Sequence, residues 1–142
     1  MPAQEWGELY AASTIAHKVA SRKLAVRGLT IAQASVLGVI AENGAPLRMS
    51  EIARMLMQES QSVTTLVDRM CAKGLVDRVN GSARRRAVMV KMTDKGQRLY
   101  EVLATTTPAF TDEMFGVLST RERATLARIL QKFVEHNISR LR

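Results

Sequence analysis

One stretch restricts the folds open to this chain more than any other. Between residues 50 and 93, two short segments of helical periodicity lead into two β-rich runs around a basic turn. SEIARMLM places Ile52, Ala53, Leu56 and Met57 along one helical face. After the turn-like QESQ, SVTTLVDRMCAKG repeats the pattern with Val63, Leu66, Val67, Met70 and Cys71 inward, and Gly74 stops it. LVDRV and AVMVKM then read as strands joined by NGSARRR, whose Asn80-Gly81 pair signals a turn and whose length predicts an extended, basic wing. A helix, a short turn and a second helix with an apolar underside hold the polar side of that second helix outward.

The flanking segments are also helical. EWGELYAASTIAHKVASRKLAVRG repeats Trp6, Leu9, Tyr10, Ile15, Val19, Leu24 and Val26 and ends at Gly28; Thr30 caps IAQASVLGVIAE, which stops at Asn43-Gly44. Thr93 caps a long helix carrying Leu99, Val102, Leu103, Phe110, Met114, Phe115 and Leu118, weakened at Gly96 and with a bend expected at Pro108. Ser119 and Glu122 form a capping box that launches TRERATLARILQKFVEHNISRLR, with Leu126, Ile129, Leu130, Phe133, Val134, Ile138 and Leu141 on one broad side. The terminal helices have apolar surface to spare. Packing within the chain would use it, and a second subunit is the simpler expectation.

Composition narrows function. A chain of 142 residues with 46% hydrophobic and 24% charged residues is long enough for one domain with a real core, and its single cysteine excludes a disulfide scaffold. No apolar run reaches the roughly 18 residues of a spanning helix, and MPAQEWGELY lacks the order of a secretory signal, so a cytoplasmic protein away from the membrane is expected. The formal charge of +8 is uneven: residues 51–100 hold ten basic and five acidic groups. An excess spread over a whole module favours nucleic acid over a small acidic substrate, with a solvated basic surface as the plain alternative.

The order helix, helix, helix-turn-helix, basic hairpin and long helices resembles the MarR family of winged helix-turn-helix transcriptional regulators. The resemblance is carried by LTIAQASVLGVI, SEIARML, SVTTLVDRMCAKGLVDRV and RRRAVMVKMTDKG, about residues 29–99, and more loosely by the terminal helices. It implies a mainly α fold with a small β-wing: a single domain over 1–142, a DNA-binding module at 30–99, and dimerisation helices at 1–29 and 100–142. It further implies a homodimer on double-stranded DNA, with the fourth helix of each subunit in a major groove and half-sites roughly 34–36 Å apart in a pseudopalindromic operator.

Site residues follow from those positions. Ser60, Gln61, Ser62, Thr64, Thr65 and Arg69 lie at the start or polar side of the fourth helix; Gln61 matches an adenine edge, the threonines combine a hydroxyl with a methyl, and Arg69 reaches phosphate or guanine. Arg84, Arg85 and Arg86 concentrate three guanidinium groups in the wing, suited to a narrow groove or to phosphates. Arg85 matches the arginine of the family's Asp-x-Arg wing motif, but its acid is replaced by Ala83, and Met92-Thr93 stands for Leu-Thr. Asp68 and Asp77 are candidates to compensate for the missing carboxylate.

The family comparison also implies a cleft for a small hydrophobic or aromatic effector, with Trp6, Tyr10, Ile15, Val19, Met49, Met55 and Phe110 as candidate lining, although core packing accounts for the same residues. The resulting expectation is a repressor released by that effector. An activator or dual regulator, a nonspecific nucleoid-associated DNA binder and a protein-interaction module are the rivals. No catalytic constellation, phosphate loop or metal-ligand cluster is legible: His17 and His136 lie far apart, and Cys71 reads as a partly buried filler. Neither enzymatic activity nor a cofactor or metal is expected.

Overall fold

The computed structural model describes residues 3–44, 46–80 and 88–141. Six helices and a small sheet follow in order: α1 (Gln4–Ala25), α2 (Ile31–Asn43), β1 (Leu47–Arg48), α3 (Met49–Met55), α4 (Ser60–Ala72), β2 (Val76–Asn80), β3 (Val88–Met92), α5 (Asp94–Met114) and α6 (Thr120–Ile138), closed by a 3-10 turn at Ser139–Leu141. This is a mainly α chain with a β-wing. It divides into two compact units, Met1–Ala104 and Thr105–Arg142, with the boundary inside α5.

Local chemistry sets the helix ends. Thr30 accepts the Gln33 amide at 3.1 Å while the Gln33 side chain accepts the Thr30 amide at 3.2 Å, a capping box whose cap residue is worth about 1 kcal/mol. Ser119 and Glu122 repeat the device at α6, with bonds of 3.1 and 2.7 Å. At the other end of α4, Gly74 takes a left-handed φ of 72° and the Leu75 amide bonds back to the Met70 carbonyl at 3.0 Å. That reversal turns the chain directly from helix into strand.

In the first unit one core gathers Val36, Leu37 and Ile40 of α2, Ile52 and Ala53 of α3, Val63, Val67 and Met70 of α4, and Leu75, Val76 and Val90 in and beside the sheet. The sheet order is β1-β3-β2, antiparallel throughout, with Leu47 and Arg78 each paired with Val90 from opposite sides. In the second unit, Thr111, Phe115, Arg123, Leu126, Ala127 and Leu130 line a cleft of about 360 Å³. The Arg123 guanidinium lies 5.8 Å from the Phe115 ring centroid and bonds Asp112 at 2.8 Å.

Several expectations need correction. Met57 is not on the inner face of α3: the helix ends at Met55, and Met57 is 56% exposed with a left-handed φ of 54° in the turn before α4. The turn needs that backbone, so the side chain is carried outward. α4 begins at Ser60, inside the stretch read as a turn, and β1 is a strand with no sequence signature, because two residues are too few for alternation. α5 runs through Pro108 but ends at Met114, leaving Leu118 in the connection to α6.

Gly96 is where α5 meets the start of the wing. A Cβ built there would lie 2.1 Å from the Leu75 carbonyl oxygen and 2.8 Å from Met92 Cγ, whereas one at Gly38 of α2 meets nothing within 4 Å. Gly96→Ala is therefore expected to lower the unfolding free energy by about 1–3 kcal/mol. Gly38→Ala should leave it unchanged or raise it by up to about 1 kcal/mol, since a mid-helix glycine is entropically costly. Urea unfolding midpoints of the two variants check the contrast.

Candidate nucleic-acid interface

The helix expected to read DNA is sharply two-sided. Val63, Val67 and Met70 of α4 are fully buried, while Ser60, Gln61, Ser62, Thr64, Thr65 and Arg69 are all exposed. Because residues three and four apart share a face, Gln61, Thr64, Thr65 and Asp68 form one outward stripe. All six residues expected on this helix are thus on its solvent side, with Gln61, Thr64 and Thr65 sharing the stripe. The Thr64 hydroxyl donates to the Ser60 carbonyl at 3.0 Å and that of Thr65 to the Gln61 carbonyl at 3.3 Å. With their protons directed inward, both oxygens present acceptor lone pairs outward, beside their methyl groups.

Two lysines hold the C-terminal end of α4. Lys73 Nζ donates to the Gly28 carbonyl at 2.7 Å and to Gln33 Oε1 at 3.2 Å, so the end of α4 is bonded to the corner between α1 and α2. Lys95 Nζ, from the first turn of α5, donates to the Lys73 carbonyl at 2.8 Å. Thr93 completes the anchor: its hydroxyl donates to the Gly74 carbonyl at 2.5 Å and accepts the Gly96 amide at 3.0 Å. Cations at a helix C-terminus satisfy its free carbonyls and its dipole. Sequence reasoning missed both lysines as anchors because a lysine near a helix end in a basic chain reads as a solvated or phosphate-facing charge.

A third tie joins α4 to the wing. Asp68 Oδ1 accepts a hydrogen bond from Arg78 Nη2 on β2, and Asp68 is one of the two carboxylates singled out as replacements for the acid lost at Ala83. Its partner is at the root of the hairpin. Ala83, Arg84, Arg85 and Arg86 lie outside the described residues, in the sequence between the paired strand ends Asn80 and Val88.

The residues considered for an effector are divided between the two units, six in the first and Phe110 in the second. Trp6, Tyr10, Ile15 and Val19 are exposed along α1, with the Trp6 and Tyr10 rings 5.9 Å apart. Met49 is half-buried against the core, and the sulfur of Met55 accepts a hydrogen bond from Asn43. Phe110 is half-buried in the second unit and is not among the residues lining its cleft. Cys71 is half-buried against the core, consistent with the filler reading, and among the described residues no group of three His, Cys, Asp or Glu side chains is placed to hold a metal. No helix of the described chain is long and apolar enough to cross a membrane.

A sequence profile of the MarR family matches residues 27–87, which span α2 to the wing. The transcriptional activatory protein BadR of Rhodopseudomonas palustris is 33% identical over 138 residues, covering 94% of this chain and 77% of BadR. The chain belongs to the MarR family. It is a DNA-binding winged-helix transcriptional regulator, of a family that regulates transcription rather than catalysing a reaction. The HTH-type transcriptional repressor MdtR of Bacillus subtilis is 28% identical over 109 residues, covering 77% of this chain and 70% of MdtR. Among solved structures, a mutant MarR from E. coli complexed with operator DNA superposes with a TM-score of 0.83 at 26% identity, covering 92% of this chain and 94% of that one.

Lys73→Met keeps the length of the side chain but leaves the buried Gln33 amide and the Gly28 carbonyl without their shared donor. The variant is expected to lose about 1–2 kcal/mol of stability. A lowered thermal midpoint, together with faster amide exchange at residues 28–33, is the outcome that calorimetry and hydrogen exchange would register.

Proposed function

We propose that this MarR-family protein is a cytoplasmic homodimer that reads a pseudopalindromic operator and represses transcription until a small hydrophobic or aromatic molecule releases it. The observation that carries the DNA-reading part is the exposed stripe of Gln61, Thr64 and Thr65 on a helix whose opposite face is fully buried. A helix held on one side by Val63, Val67 and Met70 presents its polar side as a rigid surface, the condition for matching base edges in a major groove. Gln61 addresses adenine, Thr64 and Thr65 offer acceptors and methyl groups, and Ser60, Ser62 and Arg69 engage the backbone. Arg84, Arg85 and Arg86 supply the wing's cations to phosphate or a minor groove.

Residues 30–99 form the DNA-binding module in this reading, and residues 1–29 and 100–142 the dimerisation helices. Support for dimerisation comes from the apolar side chains on α1 and α6: neither helix contains a buried residue, and Ile129, Leu130, Phe133 and Val134 of α6 are exposed in series. Two subunits bound to one duplex make operator binding sensitive to the spacing of the two reading helices, so an effector that changes the spacing releases the DNA without unfolding either subunit. Trp6, Tyr10, Ile15, Val19, Met49 and Met55, all of the first unit, are the proposed effector contacts. Activation is a second reading, favoured by the name of BadR; the position of the operator relative to the promoter decides the sign.

Selection of tight binders from a random duplex pool tests the central reading. The selected sequence is expected to contain two inverted half-sites about 10 base pairs apart and to bind at least about a thousandfold more tightly than a scrambled duplex at near-physiological salt. Comparable binding to both would indicate nonspecific DNA packaging, and no binding to either an interaction module with an incidental basic face. Gln61→Ala is expected to relax the selected half-site at one position, whereas Arg69→Ala should weaken all DNA binding and flatten the salt dependence by about one unit per protomer.

The effector proposal has its own readout. Within a panel of aromatic acids and uncharged hydrophobic compounds, at least one is expected to weaken operator binding by about 5- to 150-fold, the usual range of allosteric coupling. Operator affinity unchanged across the whole panel counts against release by a small molecule.

A further inference from the structure

An acidic side chain on a DNA-reading face is an anomaly that the functional reading does not absorb. Asp68 lies seven residues beyond Gln61 and three beyond Thr65, on the same outward stripe, and its side chain is 56% exposed. A carboxylate in that place repels phosphate unless something neutralises it. The neutralising group is Arg78, on the strand β2 that packs against α4.

The position of Arg78 follows from the pleat. Val76, Arg78 and Asn80 alternate onto one face of β2; Val76 is fully buried and Arg78 stands opposite the fully buried Val90. The first part of this face therefore serves the core. At Arg78 it reaches the edge of the core, where the side chain is 39% exposed and meets Asp68. A guanidinium has five N–H donors in a planar fork, and the bond to Asp68 Oδ1 occupies one of them.

We propose that Arg78 is a DNA-backbone contact and that Asp68 is its positioning residue, holding the guanidinium at the junction of reading helix and wing so that its other N–H groups meet a phosphate. The pair does for the root of the wing what the acid missing at Ala83 would do for its tip: it orients a cation with a carboxylate. Phosphate is a strong partner for a pre-oriented guanidinium because two of its charged oxygens can accept the two parallel N–H bonds of the fork. The inference rests on the reading that α4 enters a DNA groove.

The test compares affinities of the full-length protein for the selected duplex and its scrambled counterpart by fluorescence anisotropy across a salt series. Asp68→Asn removes a negative charge from the DNA-facing surface, so charge alone would tighten binding. The positioning role predicts the opposite sign: operator affinity falls by on the order of tenfold, the scale of one lost charge-assisted hydrogen bond. Arg78→Gln is expected to weaken both duplexes and to flatten the salt dependence by about one unit per protomer. The exchange variant Asp68→Arg with Arg78→Asp restores the ion pair but moves the cation to the helix, and it is expected to remain a weak binder.

Unchanged or tighter operator binding by a folded Asp68→Asn protein overturns the inference. So does an unchanged salt slope for Arg78→Gln, or recovery of affinity in the exchange variant, which would make the pair a structural brace alone. Circular dichroism and thermal midpoints establish that each variant is folded; if Arg78→Gln is not, Arg78→Lys replaces it, with retained charge, reduced operator affinity expected, and full wild-type affinity overturning the fork argument. A wild-type protein that does not prefer the selected duplex would overturn the DNA-reading proposal itself. A wild type that prefers it, beside an indifferent Asp68→Asn, overturns only the role of the pair.

Discussion

Burial of one face of α4 is the constraint on which the rest of the molecule depends. Val63, Val67 and Met70 are withdrawn from water against α2, α3 and the sheet, and each is worth on the order of 1.5–3 kcal/mol of transfer free energy. A 13-residue helix in isolation would be marginal in water. Its rotation about its own axis is set by those three side chains, and so is the direction in which Gln61, Thr64 and Thr65 face. The candidate reading surface is in this sense the reverse side of the core.

Polar contacts then locate the ends of the helix. The Lys73 ammonium at its end donates to the Gly28 carbonyl and to Gln33 at the corner before α2, while Lys95 and Thr93 at the start of α5 donate to the carbonyls of Lys73 and Gly74 just beyond it. Asp68 and Arg78 tie its outer side to the wing strand. Burial of the apolar stripe sets which face of the helix turns inward, but non-directional contact leaves its tilt and its position along the axis loose, and hydrogen bonds of 2.5–3.2 Å fix those. Gly96 permits the arrangement by letting α5 approach the Leu75 carbonyl within a distance no side chain allows.

Much of this was legible in the chain. The stops at Gly28, Gly44 and Gly74, the caps at Thr30, Thr93 and Ser119, and the inward set Val63, Val67 and Met70 all follow from local rules and were found where expected. The candidate reading residues were legible too, as the polar remainder of an amphipathic helix. What escaped was non-local or too short. β1 is a strand only because Leu47 and Arg48 pair with β3. Met57 occupies a left-handed turn usually left to glycine, so its apolar character pointed to the core and its backbone sent it outward. Lys73 and Arg78 read as two more cations in a basic chain until their partners, 40 and 10 residues away in sequence, were placed beside them.

The sequence by itself determined the kind of element at each point, the order of those elements and the polarity of each face, because periodicity, capping and turn chemistry act over a few neighbouring residues. Tertiary structure decided which charges are paired with a group on another element. Lys73 bonds a buried amide and a backbone carbonyl, and Arg78 faces a carboxylate on another element, although nothing in their neighbouring residues separates them from a solvated lysine or arginine. The physical reason is range. A charge acquires its partner through the folding of distant segments onto a common core, and a linear pattern records the charge without recording the partner.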